Sequence, residues 1–306
     1  MMTPEFEKIV SQVGSVVLGK EPQIRLALTC LFARGHLLIE DFPGIGKTTL
    51  AKVLAKCMGL KFQRMQFTSD LLPGDILGLS VFDQHSASFS FHPGPIFTQV
   101  FLADEINRAT PKSQSALLEA MEEEQVTIEG ETRRLESPFF VIATQNPLEQ
   151  AGTFPLPESQ MDRFLMRIRL GYPDRKAEKS ILKGIGADRV MAALDCCMEK
   201  RDVLKIQDRV DRIHVSDLFL DYLQDILDFT RNSGNFQIGL SPRAGLALSR
   251  AARAWACLNG RDHTLPEDLQ EVLPWVAGHR LRAGETYEEI PEDRLLELFT
   301  ELPVPI

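Results

Sequence analysis

The stretch from His36 to Leu50, His-Leu-Leu-Ile-Glu-Asp-Phe-Pro-Gly-Ile-Gly-Lys-Thr-Thr-Leu, constrains the fold more than any other part of the chain. An apolar run, His36 to Ile39, leads into a Pro/Gly turn, and an apolar-periodic segment, Thr49 to Met58, follows. This order predicts strand, loop and helix, with Lys47-Thr48 at the helix start, the layout of a phosphate-binding loop. Backbone N–H groups of Gly44-Ile45-Gly46, in the loop that Pro43 opens, and of the helix start at Lys47-Thr48-Thr49 would converge on one anion. Proline itself adds no donor to that set. Lys47 adds a point charge for β- and γ-phosphates, and the Thr48 hydroxyl is placed to ligate Mg²⁺. The general pattern G-x-x-x-x-G-K-[ST] has glycine where Asp41 stands, yet Gly44 and Gly46 still allow close approach of a phosphate.

A second motif answers the first. Val100-Phe-Leu-Ala-Asp-Glu105 reads as a buried parallel strand with two carboxylates at its C-terminal end, where ligands bind in open α/β sheets. Successive strand residues face opposite sides, so the two acids should divide the work. Asp104 is expected to hold the Mg²⁺ shell near Thr48, and Glu105 to polarise an attacking water.

The remaining chain fits a layered α/β unit. Strands are expected near 36–40, 62–67, 100–104, 138–144 and 164–170, with helices near 22–33, 47–58 and 111–123. Alternating strands and helices predict a parallel five-stranded sheet covered on both faces. Thr3-Pro4 and Thr110-Pro111 read as helix starts with Thr as N-cap. Residues 79–92 and 125–137 alternate apolar and polar around small-residue turns, the second at Glu129-Gly130-Glu131, and predict two β-hairpins. Beyond Tyr172-Pro173-Asp174 the period becomes helical, with breaks near 184–186, 232–234, 259–260 and 283–284. A nucleotide-binding domain over 1–173 and an all-helical domain over 174–306 are expected.

Composition sets outer bounds. With 306 residues, 44% hydrophobic and 25% charged, the chain has the make-up of an ordinary globular protein with room for two domains. It has no apolar run of membrane-spanning length and no apolar leader core near its start. Five scattered cysteines without C-x-x-C spacing argue against a disulfide framework or a zinc site and suit a reducing cytoplasm. A net charge of −9 counts against nucleic acid as the main partner.

Several segments together resemble one family. The phosphate loop and Asp104-Glu105 resemble those of AAA+ ATPases. Ile106-Asn-Arg-Ala-Thr-Pro-Lys-Ser-Gln-Ser-Ala-Leu-Leu-Glu-Ala-Met-Glu-Glu123, Phe91-His-Pro-Gly-Pro-Ile-Phe97, Ala143-Thr-Gln-Asn-Pro147, Pro155 to Met166, and Leu240-Ser-Pro-Arg-Ala244 resemble the MoxR subgroup. The resemblance implies ATP hydrolysis with Mg²⁺ at the subunit interfaces of a homo-oligomeric ring, a hexamer. It also implies chaperone-like remodelling, maturation or activation of a protein complex, with partners that often carry von Willebrand factor A domains. Asn146 matches the sensor-1 residue that orients the attacking water. Arg163 in Met-Asp-Arg-Phe matches the arginine finger supplied by a neighbouring subunit, with Arg108 and Arg167 as rivals. Arg243, behind Ser241-Pro242, matches the sensor-2 arginine, in cis or in trans. Val17-Leu18-Gly19 resembles the segment that packs on adenine. A nucleic-acid-dependent motor of the helicase-like clade and a non-hydrolysing nucleotide-gated scaffold remain the alternatives.

Overall fold

The computed structural model describes residues 2–85, 87–147, 152–183, 187–284, 286–299 and 302–304. Two helices, α1 (Pro4–Val16) and α2 (Glu21–Phe32), precede β1 (Leu37–Glu40) and α3 (Lys47–Cys57). Then come β2 (Phe62–Gln66), the short α4 (Pro73–Leu77), and a hairpin of β3 (Gly78–Asp83) with β4 (Ser88–Pro93). β5 (Val100–Asp104), a 3₁₀ turn over Ile106–Arg108 and α5 (Pro111–Glu123) lead to a second hairpin, β6 (Gln125–Ile128) with β7 (Glu131–Arg134). β8 (Phe140–Gln145), α6 (Glu158–Met161) and β9 (Met166–Ile168) complete the sheet. Helices α7 (Arg175–Leu182), α8 (Ala187–Ala192), α9 (Lys200–Asp211), α10 (Asp217–Asn232), α11 (Pro242–Leu258), α12 (Pro266–Ala277) and α13 (Glu292–Phe299) follow.

The five sheet strands are parallel in the order β2-β5-β8-β1-β9. Their side chains sort by the two-residue period. Leu37, Ile39, Val100, Leu102, Phe140 and Ile142 enter one core, while Leu38, Phe101, Ala103, Val141 and Ala143 enter the other. The first core is shared with α1, α2, α3 and the C-terminal helices, and the second with α4, α5 and the hairpin side. Among the described residues the apolar packing of the helical region therefore falls on one face. Helix α2 and the turn after it carry much of that docking: Gln207 of α9 donates to the Leu31 carbonyl at 2.8 Å, and Arg34 pairs with Asp208 at 2.7 Å.

Several expectations need adjustment. The C-terminal region is helical as expected, its helices linked by loops in which isolated bridges join Phe236 to Ala283 and Arg282 to Glu289. The expected break at 184–186 lies outside the described residues, as does Ser86. Thr3 and Thr110 occupy N-cap positions without a side-chain cap bond, whereas the Ser241 hydroxyl accepts from the Ala244 N–H. Proline at the first helical position supplies the start signal in all three cases. The first hairpin exposes Phe82 and Phe89, but Phe91 is half-buried, edge-on to Phe97 and capped by the Arg133 guanidinium 4.1 Å above its ring. That cation–π contact ties the two hairpins together.

Candidate nucleotide site

β1 delivers the chain into a loop that only glycine can follow at two points. Gly44 and Gly46 have φ of +83° and +95°, and a Cβ on either would meet nothing within 4 Å. Backbone conformation rather than crowding therefore calls for glycine, and the loop leaves open space before the N-terminus of α3. A cavity of about 360 Å³ opens there. Pro43, Gly44, Gly46, Lys47, Thr48, Thr49, Arg64, Gln66, Asp104, Glu105 and Asn146 line it. Ile45 instead packs on the hydrophobic core. Lys47 is buried, and its ammonium donates to the Asp41 carbonyl and, at 3.5 Å, to the Gln145 carbonyl. Burial lowers the Lys47 pKa, and the charges of Asp41, Asp104 and Glu105 oppose that shift.

The carboxylate end has a geometry that strand alternation does not describe. Asp104 ends β5, but Glu105 is already out of the strand, in the left-handed region at φ +56° and ψ +51°. A turn of the backbone, not the pleat, separates the two acids. Thr144 holds the arrangement: its hydroxyl donates to Asp104 Oδ1 at 2.6 Å and accepts from the Glu105 N–H at 2.8 Å. Strand β2 supplies two further contacts. Arg64 donates to Asp104 Oδ2 at 2.7 and 3.0 Å, and Gln66 donates to Glu105 Oε2 at 2.6 Å. Arg108 reaches the same Glu105 oxygen at 3.2 Å. Thr144, Arg64 and Gln66 are not among the candidate residues named from the sequence. A polar residue inside the apolar run of β8 was the available signal for Thr144. The polar character of β2 was the signal for the others.

Arg163 and Arg243 are elsewhere. They line a second cavity of about 390 Å³ together with Arg34, Arg250 and Arg280, and this cavity shares no lining residue with the first. Arg163 donates to the Leu118 carbonyl at 2.7 Å and pairs with Glu122 at 2.8 Å. Arg243 pairs with the other Glu122 oxygen at 3.2 Å and lies 3.6 Å from Asp162. These two acids offset the cost of a cation in the first turn of α11. Arg280 holds Asp162 in turn, at 2.6 Å. Of the rival fingers, Arg167 is buried in β9 and paired with Glu40 and Glu289, and Arg108 sits beside its own chain's Glu105. Val17 belongs to the core, and Gly19 packs beside Asp174 and Ala177 at the start of α7. None of Val17, Leu18 and Gly19 lines the phosphate-loop cavity.

A parallel sheet with a glycine-bordered lysine loop at its carboxyl edge defines a nucleotide-binding class of protein. Residues 36–166 match the ATPase family associated with various cellular activities (AAA), and residues 228–297 match the AAA lid domain. The chain is 38% identical to Chaperone MoxR1 of Mycobacterium tuberculosis, over 95% of this chain and 81% of that protein. It is 42% identical to the uncharacterized protein YeaC of Bacillus subtilis, over 99% of this chain and 96% of the other. A crystal structure of a Cytophaga hutchinsonii protein superposes with a TM-score of 0.88 at 36% identity, covering 99% of this chain and 95% of that one. The chain belongs to the MoxR family of AAA+ ATPases.

Proposed function

We propose that this protein hydrolyses ATP with Mg²⁺ at the subunit interfaces of a ring, a hexamer, and uses the cycle to remodel or activate a protein complex in the cytoplasm. One observation carries the reading: Arg163 and Arg243 line a cavity that shares no lining residue with that of Lys47 and Thr48. Two arginines gathered away from their own phosphate loop suit an anion on a neighbouring subunit. Arginine fits that task because it stays charged and presents a planar fork of donors.

The lining residues fit a nucleotide with its cation. Gly44 and Gly46 leave the loop open to phosphate, and Thr48 and Asp104 border one space. Among the described residues no group of three or more His, Cys, Asp or Glu could hold a metal. Two protein ligands, with phosphate and water oxygens completing the shell, suit Mg²⁺. Thr48 and Asp104 would hold such a Mg²⁺, which would supply charge neutralisation for the β- and γ-phosphates. Lys47 and the N–H groups at the start of α3 bind and orient those phosphates. Glu105 polarises the attacking water and Asn146 orients it. Arg163 and Arg243 of the adjacent subunit stabilise charge on the transferred group. Residues 17–19 pack on adenine, residues 1–173 form the nucleotide unit and residues 174–306 the lid. The client is a protein complex, with a von Willebrand factor A domain as the expected partner module. The similarity to a protein named a chaperone supports this choice, as does the net charge of −9 against nucleic acid. No described helix is long and apolar enough to cross a membrane.

Mixing tests the proposal. Arg163→Ala rings should bind ATP but turn it over on the order of 10³-fold more slowly. Lys47→Ala rings should be inactive through lost phosphate binding. Equal mixing should restore up to about a quarter of wild-type turnover, because random assembly pairs an intact loop with an intact neighbouring Arg163 in that share of interfaces. No rescue after demonstrated subunit exchange would overturn the trans assignment.

A further inference from the structure

Asp41 stands where the general phosphate-loop pattern has glycine, and it is buried. Its carboxylate faces two ways. Oδ1 accepts from the Phe42 N–H at 2.9 Å, inside the loop. Oδ2 accepts from the Gly171 N–H at 2.6 Å, 130 positions further along the chain. Gly171 follows the last sheet strand, has a φ of +65° and lies four residues before α7, so it sits where the sheet domain hands over to the helices. The Asp41 main chain is also engaged: its N–H donates to the Gln145 carbonyl at 3.1 Å, and its carbonyl accepts from the Lys47 ammonium.

Neighbouring residues repeat the connection. The Phe42 ring stacks on the Tyr172 ring with centroids 6.1 Å apart. Lys20, buried beside the 17–19 segment, donates to the Tyr172 carbonyl at 2.7 Å. Asp174 caps α7 through the Ala177 N–H and lies against Gly19. Three segments thus meet at one node: the phosphate loop, the N-terminal turn and the interdomain strap. A carboxylate spanning two of them does more than shape a loop, because loop shape alone requires only the Phe42 bond.

We infer that Asp41 is a positioning residue that couples the phosphate loop to the interdomain hinge. Lys47 bonds the Asp41 carbonyl and also lines the phosphate cavity. A shift of the Lys47 ammonium toward phosphate therefore changes the restraint on Asp41, and the carboxylate passes the change to Gly171 and α7. Hinges of this kind set turnover by governing closure. The inference rests on the ATP-binding reading above, and the test separates the two.

The test uses Asp41→Gly, which installs the residue of the general pattern, and Asp41→Asn. Asparagine keeps the volume, but only one of its two polar atoms accepts, so one of the two N–H bonds is lost. Amide hydrogen exchange at Gly171 is read first on the full-length protein without nucleotide. Loss of a charge-assisted bond should speed it by about tenfold or more in Asp41→Gly. Asp41→Asn, which keeps whichever bond its single acceptor faces, should lie between that variant and wild type, and Asp41→Ala, which keeps neither, stands in if Asp41→Gly fails to fold. ATP-analogue affinity should stay within about threefold of wild type while kcat falls about tenfold. The nucleotide-dependent change in exchange over 171–182 should shrink with it. Unchanged Gly171 exchange would overturn the inference. So would an affinity loss as large as the loss in kcat, which would confine Asp41 to the loop. A wild-type protein that failed to bind the analogue would instead overturn the ATP reading.

Discussion

Thr144→Val probes the contact on which the carboxylate pair depends. Thr144 is fully buried, and valine matches its shape, so no cavity is created. The hydroxyl makes two bonds that valine cannot make. Loss of the bond to the Asp104 carboxylate costs about 1.5–3 kcal/mol, as for other bonds to charged groups. The Glu105 N–H, left without its acceptor, adds about 1–3 kcal/mol. A methyl placed 2.6–2.8 Å from the oxygen and nitrogen that Thr144 now bonds must also push them away. The sum predicts a loss of about 2.5–6 kcal/mol, large against the ~1 kcal/mol centre of single-substitution effects. Urea unfolding followed by circular dichroism measures it. Thr144→Ser retains the hydroxyl and should lose only about 1 kcal/mol, the value of one buried methyl. Displacing the Glu105 turn should also lower turnover about 10²-fold, the scale of a misplacement near 1 Å. A Thr144→Val protein within about 1 kcal/mol of wild type, or one with normal turnover, would refute the role of this hydroxyl.

Three further outcomes are expected. Glu105→Gln should bind ATP and fail to hydrolyse it in a single-turnover assay, whereas Lys47→Ala should fail to bind. Near-normal hydrolysis by Glu105→Gln would remove Glu105 as the group acting on water. Replacing residues 82–89 with a short Gly/Ser turn should leave thermal stability and basal turnover nearly unchanged, because Phe82 and Phe89 are 50% and 70% exposed, while weakening client engagement. A large fall in melting temperature would show that the hairpin tip is structural. Stability should decline as pH falls from about 6.5 toward 4, because burial holds His36 neutral and lowers its pKa from 6.5 to about 4. The folded pKa lies below the unfolded one, so this contribution is complete above 6.5 and is lost on acidification, by roughly 3 kcal/mol. His36→Gln should flatten the profile in pH-dependent unfolding. His279, shifted down by burial as well, would keep a residual slope.

Local and periodic features were legible in the sequence because they depend on near neighbours. The Pro43–Thr49 loop, the apolar runs of β1, β5 and β8, and the proline-started helices carry their own backbone preferences, so their positions follow from residue order alone. The cavity residues at those strand ends were legible too, since parallel strands bring their carboxyl ends to one edge. What the sequence could not supply were relations between distant segments. Which acid faces which way depended on a left-handed turn at Glu105, held by the hydroxyl of Thr144 from another strand. The cavity of Arg163 and Arg243 depended on α5 and α11 meeting over Glu122. Asp41 looked like a departure from a glycine pattern until the fold placed the Gly171 N–H against it. Each of these rests on contact between residues far apart in the chain, and only tertiary packing brings such residues within hydrogen-bonding distance.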